Sequence, residues 1–306
     1  MDLVFPMPHT IRLKSTRQPW ESSVTGRDQT RMAKRADELG YDMISVPEHF
    51  LIPDEQVDRS GPHYFNATAA QAYLAGATER VRVNSSVTLL PLRNPVVLAK
   101  ALSTIDWMSS GRLTVTFGVG WLKEEFDLLG VPFRDRGKRA DEYLAAMIEL
   151  WTSDSPVFHG QYVRFENVAF EPKPVSEPHV TIWMGGDSDA ALRRAARFAT
   201  GWHPFLTQAG DIPSRIDFLK SQPGYDGRPL EIMYGLSTAR VGRNHEVIDA
   251  PQSRPSMSAD ELTDRLGELA ELGVTMSGVP IPPVSGVDAY LDYSQWVMEE
   301  IKPHLP

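Results

Sequence analysis

The sequence predicts an α/β fold, a (β/α)8 TIM barrel with an insertion segment between the fourth helix and the fifth strand. Three observations carry that prediction. Eight short, apolar, β-branched runs alternate with helix-like segments from one end of the chain to the other, and eight is the number of parallel strands that closes a barrel. Several of the runs are almost continuously apolar, as strands covered on both faces are. The length, 306 residues, holds a barrel of ~250 residues with room for an insertion.

The runs lie at 3–5, 43–46, 81–90, 113–119, 180–184, 201–205, 230–238 and 274–281. The first helix, 28–39, places Met32, Ala36 and Leu39 on one stripe and stops at Gly40, a C′ glycine. Asn94-Pro95 reads as a cap followed by proline at the first helical position of 96–108. Residues 138–151 carry Leu144, Met147, Ile148 and Trp151 at helical spacing. Ser188 opens a helix over 190–199, and Ser258 with Glu261 has the capping-box spacing ahead of a stripe that ends at Gly273. The last helix spans 288–301 and stops before Pro303. Residues 156–178 break the alternation, with Gly160 between two short alternating runs, and predict an inserted hairpin. No Pro/Gly/Ser-rich linker or repeat divides the chain, so 1–306 reads as a single barrel domain; an open doubly wound sheet is the alternative fold.

Composition narrows the function. There is no cysteine, which excludes disulfides, thiolate metal sites and cysteine nucleophiles. A net charge of −9 argues against general nucleic-acid binding. No apolar stretch approaches the ~20 residues of a membrane span, and residues 1–6 show no secretory signal. A cytoplasmic protein acting on a small molecule, without nucleic acid or membrane, is the expectation.

In a barrel, sites form at the C-terminal mouth, where the long loops 6–27 and 47–66 fall. No Gly-x-Ser-x-Gly elbow, His-Glu-x-x-His pair or Gly-x-x-x-x-Gly-Lys loop is present. Gly118-Val119-Gly120 follows a strand, but Lys123 stands where a dinucleotide fingerprint needs its next glycine. Single features at strand ends remain. His49, after the second strand, can move a proton or hold a reacting oxygen, or is simply fixed by Glu48 or by loop backbone. Ser86, Val87 and Thr88 end the third strand. Gly118 and Gly120 remove side chains where a flat ligand could approach the backbone. Gly185, Gly186, Asp187 and Ser188 join the fifth strand to a helix N-terminus, whose free amides and dipole suit a phosphate; an Asp187 or Ser188 cap without a ligand reads equally well.

The order and spacing of these pieces resemble the luciferase-like monooxygenase superfamily, barrel proteins that use either FMN or the deazaflavin coenzyme F420. Residues 36–42 leading into Val46-Pro47-Glu48-His49, Asn94-Pro95 with Ala99-Lys100, and Asp106, Ser109 and Gly111-Arg112 leading into Gly118-Val119-Gly120 carry the likeness. So do Glu142 with Leu150-Trp151, Phe158 with Gly160, Pro172-Lys173-Pro174, Gly185-Gly186 and Gly201-Trp202. Within the superfamily the chain looks most like the F420-dependent branch.

The resemblance implies that His49 lies near the reactive edge of the flavin-type ring. It implies a bulge with a non-proline cis peptide at about Ser86-Val87, backing the ring, and a cofactor phosphate at Gly185-Gly186. Residues 156–178 would border the site. One departure stands out. The sugar-phosphate dehydrogenase branch carries a glutamate soon after its Gly-x-Gly, where this chain has Leu122 and Lys123; Glu124 and Glu125 follow and read as surface residues, so glucose-6-phosphate oxidation is not expected.

The activity implied is hydride transfer between F420 and a small organic substrate. The alternatives are an FMN-dependent monooxygenase using reduced flavin and oxygen, a non-catalytic flavin-binding protein and, last, a metal-dependent barrel hydrolase. Trp20, Tyr64, Phe65, Trp121, Trp202 and His203 are candidate pocket residues, with plain packing an equal reading for the tryptophans. Arg134, Arg136, Lys138 and Arg139 form a basic cluster that suits either a polyglutamate cofactor tail or a solvated helix start. The resemblance also implies a homodimer through the helices flanking the second and third strands, where 67–77 offers a small-residue face.

Overall fold

The computed structural model describes residues 1–13, 17–236, 240–241, 247–249 and 257–306. The barrel strands are β1 (Asp2–Pro6), β2 (Met43–Val46), β3 (Arg82–Leu89), β4 (Leu113–Gly118), β5 (Thr181–Gly185), β6 (Gly201–His203), β7 (Glu231–Ile232) and β8 (Met276–Gly278). They form one sheet in the order β8-β1-β2-β3-β4-β5-β6-β7. A parallel bridge between Met233 and Met276 joins its two ends. The Thr275 amide donates to Ile232 O (3.0 Å) and the Tyr234 amide to Met276 O (3.0 Å) across the same seam. This is the (β/α)8 barrel, not an open sheet. The seventh strand is shorter than the run 230–238 suggests, and residues 237–238 lie outside the described residues.

The barrel is filled rather than hollow. Val4, Met43, Trp183, Met233 and Met276 pack as an inward apolar cluster, while the alternate residues of the same strands, such as Leu3, Phe5, Ile44, Val83 and Ile182, face the helices. That alternation is the period of a strand. Towards the mouth on the β2–β4 side the filling turns polar. Buried Asn84 accepts from the Thr116 amide (3.2 Å) and hydroxyl (3.0 Å) and donates to Ser45 Oγ (3.5 Å).

The helices follow their capping chemistry. Helix α1 (Gly26–Leu39) starts at a Thr25–Asp28 capping box and ends at Gly40, whose φ of 83° is left-handed. Short α2 (Asp54–Ser60) and α3 (Ala67–Ala77) follow β2. Helix α4 (Pro95–Met108) is capped by Asn94, which accepts from the amides of Val96 and Val97. Next come α5 (Lys123–Leu128), α6 (Arg136–Thr152), α7 (Asp189–Phe198), α8 (Ile212–Lys220), α9 (Ala259–Glu271) and α10 (Val287–Trp296). Ser258 and Glu261 form the expected capping box of α9. The expected last helix is α10 continued by one π-helical turn, Val297–Ile301. Helices α2, α5 and α8 occupy stretches whose sequence shows no helical stripe long enough to identify. Among the described residues no helix is long and apolar enough to cross a membrane.

The insertion is a hairpin, as its sequence suggests: Phe158–His159 pairs antiparallel with Arg164–Phe165. Glu142 of α6 accepts from the amides of Gln161, Tyr162 and Val163 at 2.5–2.9 Å, and a Cβ at Gly160 would lie 2.2 Å from its Oε1. Asp106 of α4, fully buried, anchors the other end of the insertion. It accepts from the amides of Val175 (2.9 Å) and Ser176 (3.0 Å) and from the Ser176 hydroxyl (2.7 Å). Asp106→Ala removes three hydrogen bonds to a buried carboxylate and is expected to lower unfolding stability by roughly 2–4 kcal/mol, read as a drop in the urea midpoint. An unchanged midpoint would show that the insertion is not anchored there.

Candidate active site at the barrel mouth

Because all the barrel strands run parallel, their C-terminal ends gather at one mouth. At the end of β2, Glu48 and His49 take different directions. Glu48 is buried, and its carboxylate accepts from the amides of Ala67 and Leu89 (each 3.1 Å) and from the Arg93 guanidinium. It ties β2 to β3 and α3, and so does not fix the imidazole.

The group that does is Glu125. Its Oε2 lies 2.8 Å from His49 Nδ1, and its Oε1 accepts from the amides of Phe50 (2.5 Å) and Leu51 (3.3 Å). The side chain of Glu125 is 1% exposed and that of His49 10%. Glu125 is therefore no surface residue, which corrects the reading of its position in the sequence. The chain leaves β4 through Gly120, at φ 76°, where a Cβ would sit 2.7 Å from the Phe126 ring. That turn starts α5, and a helix from Leu122 puts 122, 125, 126 and 129 on neighbouring positions. With Leu122 and Phe126 buried, Glu125 faces inward beside them. Only Leu122 and Phe126 of this short helix and its cap are buried apolar residues, too few to reveal it in the sequence.

Two candidate pocket residues close round His49. Tyr64 meets it edge-to-face at 4.8 Å and Trp121 at 6.0 Å between ring centroids. The Tyr64 hydroxyl donates to Ser60 O (2.7 Å). Burial first, and the negative charge of Glu125 second, push its ionisation well above the usual tyrosine range, so it remains a neutral phenol.

The Ser86–Val87 peptide is cis, as the resemblance implies. The Val87 side chain sits between two glycines: a Cβ at Gly118 would lie 2.5 Å from its Cγ2, and one at Gly185 2.5 Å from its Cγ1. The space expected to be open at Gly118 is thus filled by Val87, as that at Gly120 is by Phe126, and Val87 itself forms the apolar shelf. Ser86 Oγ lies 2.7 Å from His203 Nδ1. Strands β3 and β6 are separated by β4 and β5 in the sheet, so this bond spans the barrel. Burial lowers the His203 imidazole to about 4, against an opposing effect of the Asp187 carboxylate. Thr88 is buried, and its hydroxyl donates to Ser85 Oγ (2.8 Å), so its side chain faces the protein rather than the mouth.

Where β5 turns into α7, Gly186 takes φ 119° and its amide donates to His203 O (3.1 Å). Trp202 is buried, with Nε1 donating to Gly186 O (2.8 Å): it is a core residue that braces this turn, not a pocket wall. Asp187 Oδ1 accepts from the amides of Phe205, Leu206 and Thr207 and from the Thr207 hydroxyl at 2.7–3.0 Å. Ser188 caps α7 through the Ala191 amide (3.2 Å). Ser188 is thus the helix cap, whereas Asp187 ties the turn to the loop after β6. Among the described residues, the backbone amides of Asp187 and Ser188 have no hydrogen-bond partner, and Arg215 donates to Asp187 O (2.8 Å) beside them. Two free amides at a helix N-terminus fit an anionic phosphate, and the adjacent Arg215 also pairs with Asp189 (3.0 Å).

Other candidates lie apart from these groups. Trp20 stacks on Tyr290 at 6.0 Å and donates to Gln18 Oε1, and Phe65 packs against His9 and His63. In the basic cluster, Arg136 donates to Gly120 O and Phe133 O and Arg139 pairs with Asp135, while Arg134 and Lys138 are exposed. Among the described residues no three His, Asp or Glu side chains are grouped to hold a metal ion.

Comparison with known proteins gives the family and agrees with the fold. The family model for luciferase-like monooxygenases matches residues 6–275. The FMNH2-dependent dimethylsulfone monooxygenase of Pseudomonas putida is 32% identical over 184 residues, 59% of this chain and 50% of the relative, so the chain spans about half that relative's length. An uncharacterized protein of Mycobacterium tuberculosis is 29% identical over 279 residues, 85% of this chain and 90% of the relative. Among solved structures, the coenzyme F420-dependent tetrahydromethanopterin reductase of Methanopyrus kandleri superposes with a TM-score of 0.71 at 14% identity, covering 100% of this chain and 99% of that one.

The surroundings of His203 make a pH prediction. The unfolded chain takes up this proton near pH 6.5 and the folded protein only near pH 4. Its contribution to stability is therefore complete above pH 6.5 and is lost as pH falls from 6.5 through 4. An NMR titration of the imidazoles is expected to show His203 neutral at pH 5.5, and a midpoint near 6.5 for that resonance would contradict the burial argument.

Proposed function

We propose that this chain, which belongs to the luciferase-like monooxygenase family, is a cytoplasmic oxidoreductase that transfers a hydride between coenzyme F420 and a small organic substrate. The single observation carrying the reading is the His49–Glu125 pair, a nearly buried imidazole held by a buried carboxylate beside the cis bulge of β3. The bound deazaflavin would supply the ring carbon that accepts or gives the hydride. Val87, between Gly118 and Gly185, would support the ring, and the free amides of Asp187 and Ser188 with Arg215 would hold the phosphate.

The protein's own chemistry is proton handling. A carboxylate accepting from Nδ1–H fixes the tautomer and leaves Nε2 as the working nitrogen. Nε2 takes the proton of a substrate hydroxyl as hydride leaves, or returns it to a carbonyl oxygen in the reverse direction. Tyr64 and Trp121, edge-on to the ring, keep the imidazole oriented and exclude water. His49→Ala is expected to lower turnover ~100-fold or more with little change in cofactor affinity, and Glu125→Gln to lower it ~10–100-fold. Unaltered turnover in either variant would remove the pair from the mechanism.

Fluorescence titration of the purified protein with oxidised F420 and with FMN tests the cofactor. Micromolar or tighter binding of F420 alone supports the proposal. A preference for FMN, with oxygen consumed when reduced flavin and substrate are supplied, would replace it by the second reading, an FMN-dependent monooxygenase. That reading is favoured by the FMNH2-dependent relative in Pseudomonas putida.

A homodimer is part of the same proposal. Helices α3 and α4 leave Tyr73, Val97, Trp107 and Met108 more than half exposed, an apolar surface of the kind that marks an interface. Sedimentation is expected to give twice the 34.2 kDa chain mass, and Trp107→Glu to shift it towards monomer; a monomeric wild type would contradict the assignment.

A further inference from the structure

We infer that His203 is a cofactor-contact residue, donating a hydrogen bond from Nε2–H to an acceptor atom on the pyrimidine part of the bound flavin-type ring, with Ser86 fixing the tautomer that makes this possible. The inference rests on the proposed function, since it needs a ring on the Val87 shelf.

The geometry begins at Ser86. Its Oγ is 2.7 Å from His203 Nδ1. When the hydroxyl donates to Nδ1, the proton of the neutral imidazole resides on Nε2. Among the described residues Nε2 has no hydrogen-bond partner, and His203 is only partly buried, so this nitrogen is left for a ligand. The backbone on either side is fixed: His203 O accepts from the Gly186 amide, and Trp202 is braced through Gly186 O. The free N–H thus stands next to the residue that begins the cis bulge, at the edge of the shelf made by Val87 with Gly118 and Gly185.

A ring resting on that shelf would bring an edge towards His203, which is bonded to the residue preceding Val87. Flavins and deazaflavins share carbonyl and N1 acceptors on the pyrimidine, and negative charge develops there on reduction. A neutral donor at that edge strengthens binding of the oxidised ring and favours the reduced one further. The depressed basicity of His203 is consistent with a donor that stays neutral through the working pH range.

The test compares wild type with His203→Ala, His203→Gln and Ser86→Ala by titration with oxidised F420 and FMN, and by anaerobic redox titration of the bound cofactor. Circular dichroism confirms folding of each variant. The expected result is a three- to tenfold weaker affinity in His203→Ala and a shift of the bound potential to more negative values. Recovery of both is expected in His203→Gln, which restores an N–H, and an intermediate loss in Ser86→Ala. Wild-type binding with unchanged affinity and potential in His203→Ala would overturn the inference, as would equal losses in His203→Ala and His203→Gln. Absence of wild-type binding to both cofactors would instead overturn the proposed function.

Discussion

The carboxylate of Glu125 holds the mouth of this barrel together. One oxygen meets His49 Nδ1 and the other takes the amides of Phe50 and Leu51, so one side chain from α5 sets both the ring and the backbone of the loop after β2. A carboxylate at 1% exposure is stable only if its oxygens are matched by donors, and here they are matched by the segment that would do the chemistry. Removing the side chain would leave two amides and an imidazole without their acceptor, so the position of His49 depends on a residue from a different element.

A second constraint is steric. Val87 projects from the cis bulge into space that only glycine at 118 and 185 leaves free. The strand ends β3, β4 and β5 therefore meet at one apolar point, and the Ser86–His203 bond carries the connection on to β6. Four consecutive strands are locked at the mouth by one methyl-bearing side chain and one hydrogen bond. The phosphate-compatible turn follows directly, since Gly186 and Asp187 are held by His203 O and by the loop after β6. The site is thus built on rigid strand ends, with aromatic rings rather than long polar chains closing it.

Much of the fold was legible in the sequence because its signals are local. Short apolar runs between helix-like segments marked the eight strands, Asn94 and Ser258 announced helix starts, and Gly160 marked the hairpin. His49 was legible as a candidate from its place after β2, and Ser86–Val87 as a cis bulge through the family resemblance. What escaped was long-range pairing. Glu125 lies 76 positions from His49, and Ser86 lies 117 from His203; no local pattern announces either contact. Trp202 and Thr88 sit at strand ends where a pocket is expected, yet both are buried, because a strand end exposes only alternate residues to the mouth; the side chains of Asp187 and Ser188 are used by neighbouring backbone amides. Glycines 118 and 120 read as openings for a ligand, whereas the protein's own Val87 and Phe126 fill those spaces.

The central proposal is that the mouth receives a flavin-type ring with His49 at its reactive side. A crystal structure of the protein soaked with coenzyme F420 measures this directly. The account predicts the ring resting on Val87, the phosphate on the amides of Asp187 and Ser188, and His49 Nε2 facing the open side of the ring. A phosphate bound elsewhere, or a ring placed away from Val87 and His49, would contradict it.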